Sequence, residues 1–219
     1  MDLLIFDLDG TLIDSKLDLV EAVNAARAHL GLPPAENERV YSYVGNGAPT
    51  LIRRALGPSA GEEDVQRALD FFLAYYREHL LDHTKPYPGV PEALDRLRQQ
   101  GVQMAVLTNK PARISQASVD GLGLGRYFRR VYGGNSFEQK KPHPIGIETL
   151  LADCGVPRHR AMMVGDSAVD VQTARNAGIK ACGVTYGFQP ETFADDPPDL
   201  LVNTLAELVE IVTAGRQRP

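Results

Sequence analysis

From about residue 90 to its end, the chain alternates short apolar runs with segments whose apolar residues recur at helical spacing. The runs at 102–107, 130–132, 161–164, 181–184 and 200–202 read as strands, and 92–100, 112–122, 145–154, 168–177 and 205–212 read as helices. Strands in alternation with helices build a mostly parallel sheet covered on both faces, so the pattern predicts an α/β fold with a Rossmann-like core. A further apolar run, Leu3-Leu4-Ile5-Phe6, reads as a buried strand of that core.

Between this first strand and the alternating part lies a different pattern. Helical spacing covers 17–30, 36–44, 49–56 and 62–81, broken at Gly45-Asn46-Gly47 and Gly57-Pro58-Ser59, and no strand is evident from about residue 16 to 84. Ser15 is placed to cap the first of these helices, and Lys85-Pro86-Tyr87-Pro88-Gly89-Val90 reads as a return linker. The expected organisation is a core from residues 1–15 and 85–219 with an inserted α-helical cap over 16–84.

The totals exclude several classes. At 219 residues the chain can bury a sizeable core, and its net charge of −5 without a basic block argues against nucleic acid or an anionic membrane as a partner. No apolar run reaches membrane-spanning length and Met1-Asp2 leads straight into the first strand, so a cytoplasmic protein is expected, monomeric or homodimeric. Cys154 and Cys182 show no metal-ligand or redox spacing and read as small core residues.

The chemistry gathers where strands end. Asp7 and Asp9 are alternate residues as the first strand gives out, so their side chains leave its carboxyl end in roughly the same direction, and Gly10 allows a tight turn. Ligands of open α/β sheets bind beyond that end. Two carboxylates there repel by ~4 kcal/mol at 4 Å for an effective dielectric near 20, a charge that a hard divalent cation such as Mg2+ would offset. A second strand ends in Thr108-Asn109-Lys110-Pro111, where a hydroxyl beside the amides opening a helix suits a phosphate. Lys140-Lys141-Pro142-His143-Pro144 follows the third, and Met162-Met163-Val164-Gly165-Asp166 leads to Asp170, one helical turn beyond Asp166. Read singly, each is also an ordinary local feature: acids in a turn, a threonine or histidine capping a helix, acids favoured by a helix dipole.

In this order, however, the segments resemble the motifs of the haloacid dehalogenase-like hydrolases across the whole chain. The resemblance implies that Asp7 is a phosphate-accepting nucleophile and Asp9 a general acid/base. It makes Thr108, with Asn109, phosphate-binding, and Lys141 the cation that neutralises the nucleophile and the transferring phosphoryl group, while Lys140 faces solvent. It implies Mg2+ held by Asp7, Asp166 and the Asp9 backbone carbonyl, with Asp170 supporting through a water or hydrogen bonds. No role falls to His143. An Asp at position 9, where P-type ATPases carry Thr, favours rapid turnover by a phosphatase or mutase.

The insertion looks like the family's helical cap, with hinges at Ile13-Asp14-Ser15 and Tyr87-Pro88-Gly89. The absence of lysine from residue 17 to 84 excludes the Schiff-base chemistry of the capped phosphonoacetaldehyde hydrolases. Tyr43-Val44-Gly45-Asn46-Gly47-Ala48-Pro49 looks like the corresponding loop of bacterial phosphoglycolate phosphatases, as do Gly133-Gly134 and Thr185-Tyr186-Gly187. Gly45 and Gly47 permit close backbone approach, Asn46 lies between them, and a small substrate carboxylate could be held there with help from Arg53; alternatively Arg53-Arg54 is a solvated helix face. The expected substrate is a small phosphate ester, first 2-phosphoglycolate. Behind it stand a sugar phosphate, a nucleoside monophosphate or pyrophosphate, then a β-phosphoglucomutase-like transfer, then a non-catalytic phosphate-sensing domain.

Overall fold

The computed structural model describes residues 1–216. In order, the chain forms β1 (Leu3–Phe6), β2 (Ile13–Asp14), α1 (Lys16–His29), α2 (Asn37–Tyr41), α3 (Ala48–Leu56), α4 (Glu62–Glu78), β3 (Lys85–Pro86), α5 (Val90–Gln99) and β4 (Gln103–Leu107). It continues with α6 (Ala112–Gly121), β5 (Val131–Tyr132), α7 (Ile145–Cys154), β6 (Ala161–Gly165), α8 (Ala168–Asn176), β7 (Lys180–Val184), β8 (Leu200–Val202) and α9 (Leu205–Arg216).

Six strands form one parallel sheet in the order β5-β4-β1-β6-β7-β8. All four residues of β1 are fully buried, because a central strand of a doubly covered sheet has no solvent face. The two-residue period of the strand divides them. Leu4 and Phe6 pack with Leu94 of α5 and Leu208 of α9 on one face, whereas Leu3 and Ile5 pack with Ile147 of α7 and Val171 of α8 on the other. Each such side chain contributes ~1.5–3 kcal/mol on burial, so β1 anchors both layers.

Helices α1 to α4 build a third apolar cluster around Val23, Ile52, Phe72 and Tyr76, joined from the other side by Ile114 of α6. The expected return linker is part strand: β3 pairs antiparallel with β2, Ile13 opposite Pro86 and Asp14 opposite Lys85. Asp18 of α1 ties the same crossing, accepting from the Thr84 amide at 2.8 Å and the Thr84 hydroxyl at 2.6 Å. The helix expected over 36–44 ends at Tyr41, where the chain turns into the loop carrying Gly45 and Gly47. Among the described residues no helix is long and apolar enough to cross a membrane. Cys182 is buried, Cys154 half-buried, and both are free.

Candidate active site

The chain runs outward from β1 in two directions, to β4 and β5 on one side and to β6, β7 and β8 on the other. That reversal opens a crevice at the carboxyl ends of the central strands. Asp7 follows β1, Thr108 follows β4 and Asp166 follows β6, and all three line one cavity of about 50 Å³. Gly10 (φ +81°) turns the chain there, and a Cβ on it would lie 2.2 Å from the Asp166 Oδ2. The opposite wall of the cavity is apolar and comes from the helical insertion: Leu19, Val44, Leu51 and Phe72.

Two buried lysines order the acids. Lys141 Nζ stands 2.6 Å from Asp170 Oδ1 and 3.0 Å from Asp7 Oδ1. The other Asp170 oxygen accepts from the Ser167 amide and hydroxyl in a capping box that opens α8. Lys110 Nζ stands 2.7 Å from Asp9 Oδ1 and 2.7 Å from the Tyr76 hydroxyl. Burial draws both ammonium groups down, but Asp170 and Asp7 outweigh it at Lys141, and Asp9 with Tyr76 outweighs it at Lys110, so both are raised. Burial pushes Asp7 up to about 6 despite the pull of Lys141, and it pushes Asp166 well above the ordinary carboxylate range, with repulsion from Asp170 and Asp7 adding to it.

Lys110 has no part in the sequence motifs above; β1 and β4, side by side, bring Asp9 to it, and α4 brings Tyr76 by folding over the sheet. Ser15 stands at the N-cap of α1, as expected, but its hydroxyl donates to Asp9 at 2.6 Å rather than accepting from the helix. Asn109 lines the cavity, yet its side-chain amide is spent on the carbonyls of Gly45 (2.9 Å) and Lys141 (3.0 Å), so that group is a brace rather than a phosphate ligand. Gly45 and Gly47 line the cavity, while Asn46 offers its carbonyl to Lys140 Nζ at 2.5 Å. Lys140 is exposed, as expected, and from the surface it also reaches across to the inserted loop. Arg53 is not at the site: Ala48, Leu51, Ile52 and Ala55 form the buried face of α3, which turns Arg53 outward to pair with Glu62. His143 is exposed and accepts from the Ile145 amide where α7 begins.

A model of the haloacid dehalogenase-like hydrolase family matches residues 4–184. The chain belongs to that family. It is 42% identical over 214 residues to "Phosphoglycolate phosphatase 1" of Pseudomonas aeruginosa, covering 94% of this chain and 78% of the relative. It is 41% identical to a phosphoglycolate phosphatase of Chromobacterium violaceum, covering 96% of each. The crystal structure of "a predicted phosphoglycolate phosphatase" from Haemophilus somnus superposes with a TM-score of 0.91 at 33% identity, over 96% of this chain and 97% of that one. Within the haloacid dehalogenase-like hydrolases the chain is phosphoglycolate phosphatase-like, and it is a phosphatase.

The acidic group fits the divalent cation that such phosphatases use. One oxygen from each of Asp7, Asp166 and Asp170 lies within 4.8 Å of the others. Asp170 is occupied by Lys141 and Ser167, which leaves Asp7 and Asp166 as hard oxygen donors whose mutual repulsion a cation would relieve.

Proposed function

We propose that the chain hydrolyses 2-phosphoglycolate to glycolate and phosphate through an aspartyl-phosphate on Asp7, with Mg2+ as cofactor. The observation that carries the reading is the cavity itself. Asp7, Asp9 and Asp166 on one side and Leu19, Val44, Leu51 and Phe72 of the insertion on the other enclose a cavity of about 50 Å³, which favours a small ester over a bulky one. The names of the relatives support the same substrate.

In this reading residues 1–15 and 85–216 belong to the catalytic core, whose expected last residues 217–219 lie outside the described residues, and 16–84 are the cap that excludes water, moving on the β2–β3 ribbon. Thr108 and the Asn109 backbone hold phosphoryl oxygens, and Lys141 neutralises the charge that gathers between Asp7 and the phosphorus. Asp7 attacks in line, an oxygen–phosphorus bond forms as the ester bond breaks, and Asp9 gives the leaving oxygen its proton. Asp9 then takes a proton from the water that cleaves the aspartyl-phosphate. Mg2+, held by Asp7, Asp166 and the Asp9 carbonyl, would supply charge neutralisation at the phosphoryl oxygens. Asp170 acts by aiming Lys141. The free thiols of Cys154 and Cys182 suit a reducing cytoplasm.

The test is Mg2+-dependent phosphate release from 2-phosphoglycolate, sugar phosphates, nucleoside monophosphates and pyrophosphate, with Asp7→Asn as control. The expected result is a kcat/KM for 2-phosphoglycolate at least tenfold above the others, abolished in the variant. A flat or sugar-biased profile that still needs Asp7 would overturn the substrate and leave the chemistry.

A further inference from the structure

The cavity sets an accounting problem for any anionic leaving group. Three carboxylates line it, those of Asp7, Asp9 and Asp166, and its outer wall is apolar. A second negative charge on the substrate, away from the phosphate, would be desolvated against Leu51 and Phe72, which costs several kcal/mol unless it is paired. Among the described residues the one cationic side chain lining the cavity is Lys110. We propose that Lys110 and Tyr76 together anchor an anionic group on the leaving alcohol, and so select esters that carry a carboxylate one carbon from the ester oxygen. This rests on the reading of the site as a phosphatase for 2-phosphoglycolate and names the residues that make the choice, in place of Arg53.

Donors and distances both fit. An ammonium has three donors. Lys110 spends one on Asp9 and one on the Tyr76 hydroxyl, each at 2.7 Å, and one remains. Tyr76 accepts from Lys110, so its own O–H proton is available, and burial keeps it protonated by pushing the phenol up to about 12. The pair therefore offers two converging donors, matching the two oxygens of a carboxylate. For proton transfer Asp9 must come within about 2.6–3.2 Å of the ester oxygen. Lys110 Nζ, 2.7 Å from Asp9 Oδ1, then stands across one carboxylate from that oxygen. A carboxylate one methylene away falls inside this span. Asp9 also keeps the Ser15 hydroxyl at 2.6 Å, so it stays positioned while Lys110 turns part of its charge to the substrate. Because Tyr76 comes from α4 and Lys110 from the sheet edge, the anchor is complete only when the insertion is closed.

The experiment compares kcat/KM for 2-phosphoglycolate and for ethyl phosphate, which replaces the carboxylate by a methyl group, in the wild type, Lys110→Met, Lys110→Arg and Tyr76→Phe. Wild type should prefer 2-phosphoglycolate at least tenfold. Lys110→Met should lower that preference at least tenfold, chiefly through KM; Tyr76→Phe should lower it three- to tenfold, and Lys110→Arg should restore most of it. Calorimetric binding of both esters to Asp7→Asn protein, with and without Lys110→Met, gives the same comparison without turnover, and only the Kd for 2-phosphoglycolate should weaken. A wild-type preference that survives Lys110→Met, with both esters slowed alike, overturns the anchor and leaves the substrate reading intact. Absence of any wild-type preference overturns both.

Discussion

Asp166 accepts from the Phe188 amide at 2.7 Å, but it is buried and, beyond that, faces the like charges of Asp170 and Asp7, so its ionised form is costly in the metal-free fold. The sign follows from linkage. A carboxyl whose folded pKa is raised stabilises the fold below its unfolded pKa, and that contribution is lost as pH rises through the folded one. For Asp7 the window runs from 3.8 to about 6. Metal-free protein should therefore lose thermal stability across this interval, and saturating Mg2+ should restore it. Asp166→Asn keeps the acceptor for Phe188 and removes the charge. At pH 8 without metal its Tm should exceed that of the wild type by ~2–4 °C, the shift about 1 kcal/mol gives a chain of this size, while hydrolysis and the Mg2+-induced shift disappear. Calorimetry with and without chelator checks both. The meeting of Asp7, Thr108 and Asp166 was legible in sequence because each directly follows an apolar run, and parallel strands deliver their ends to one edge. Lys110 was not legible: Asp9 is 101 residues away and Tyr76 is 34, and no local pattern records such pairs. The outward turn of Arg53 was latent in the spacing of Ala48, Leu51, Ile52 and Ala55, which marks the buried face of α3.

At the scale of elements, the loops between strand and helix carry the tolerances. Gly134, after β5, lies against the loop that bears Thr108: a Cβ on it would fall 2.4 Å from the Asn109 carbonyl oxygen, a backbone atom that no rotamer change can move. Gly134→Ala should therefore destabilise by ~1–3 kcal/mol, the usual range for forced overpacking, and lower kcat because the Thr108 segment must shift. Thermal unfolding and steady-state kinetics on the same preparation test this, and an unchanged kcat would mean that the loop yields without disturbing Thr108. The core strands and helices were readable because each repeats a period long enough to recognise: α7 and β8 fall at Ile145–Cys154 and Leu200–Val202, where spacing placed them. The β2–β3 ribbon was not. Two residues on each side are too few for a period, and prolines in the second segment disguise the pairing.

At the scale of the molecule, the insertion meets the sheet through a narrow ribbon and a row of polar contacts rather than a continuous apolar seam. Gln189 Nε2 donates to the carbonyls of Tyr41 (3.3 Å), Ser42 (3.0 Å) and Val44 (3.1 Å), Asn109 to Gly45, and Lys140 to Asn46. Side chains that follow three different strands thus grip successive carbonyls of one inserted loop. Hydrogen bonds of this kind contribute ~0.5–1.5 kcal/mol each, enough together to hold this arrangement and singly weak enough to yield in the cap opening proposed above. Neither the gripping residues nor the loop announces this in sequence, because carbonyl acceptors are common to every residue and carry no signature. Gln189→Ala removes three of the contacts at once. It should raise KM for 2-phosphoglycolate three- to tenfold by making closure less favourable, change kcat less than twofold, and leave Tm within ~1 °C, since the core is untouched. Hydrogen exchange should quicken at residues 41–47 while β1 and β6 keep their protection. An unchanged KM with unchanged exchange would show that the ribbon and the apolar contact at Ile114 hold the insertion closed without the polar row.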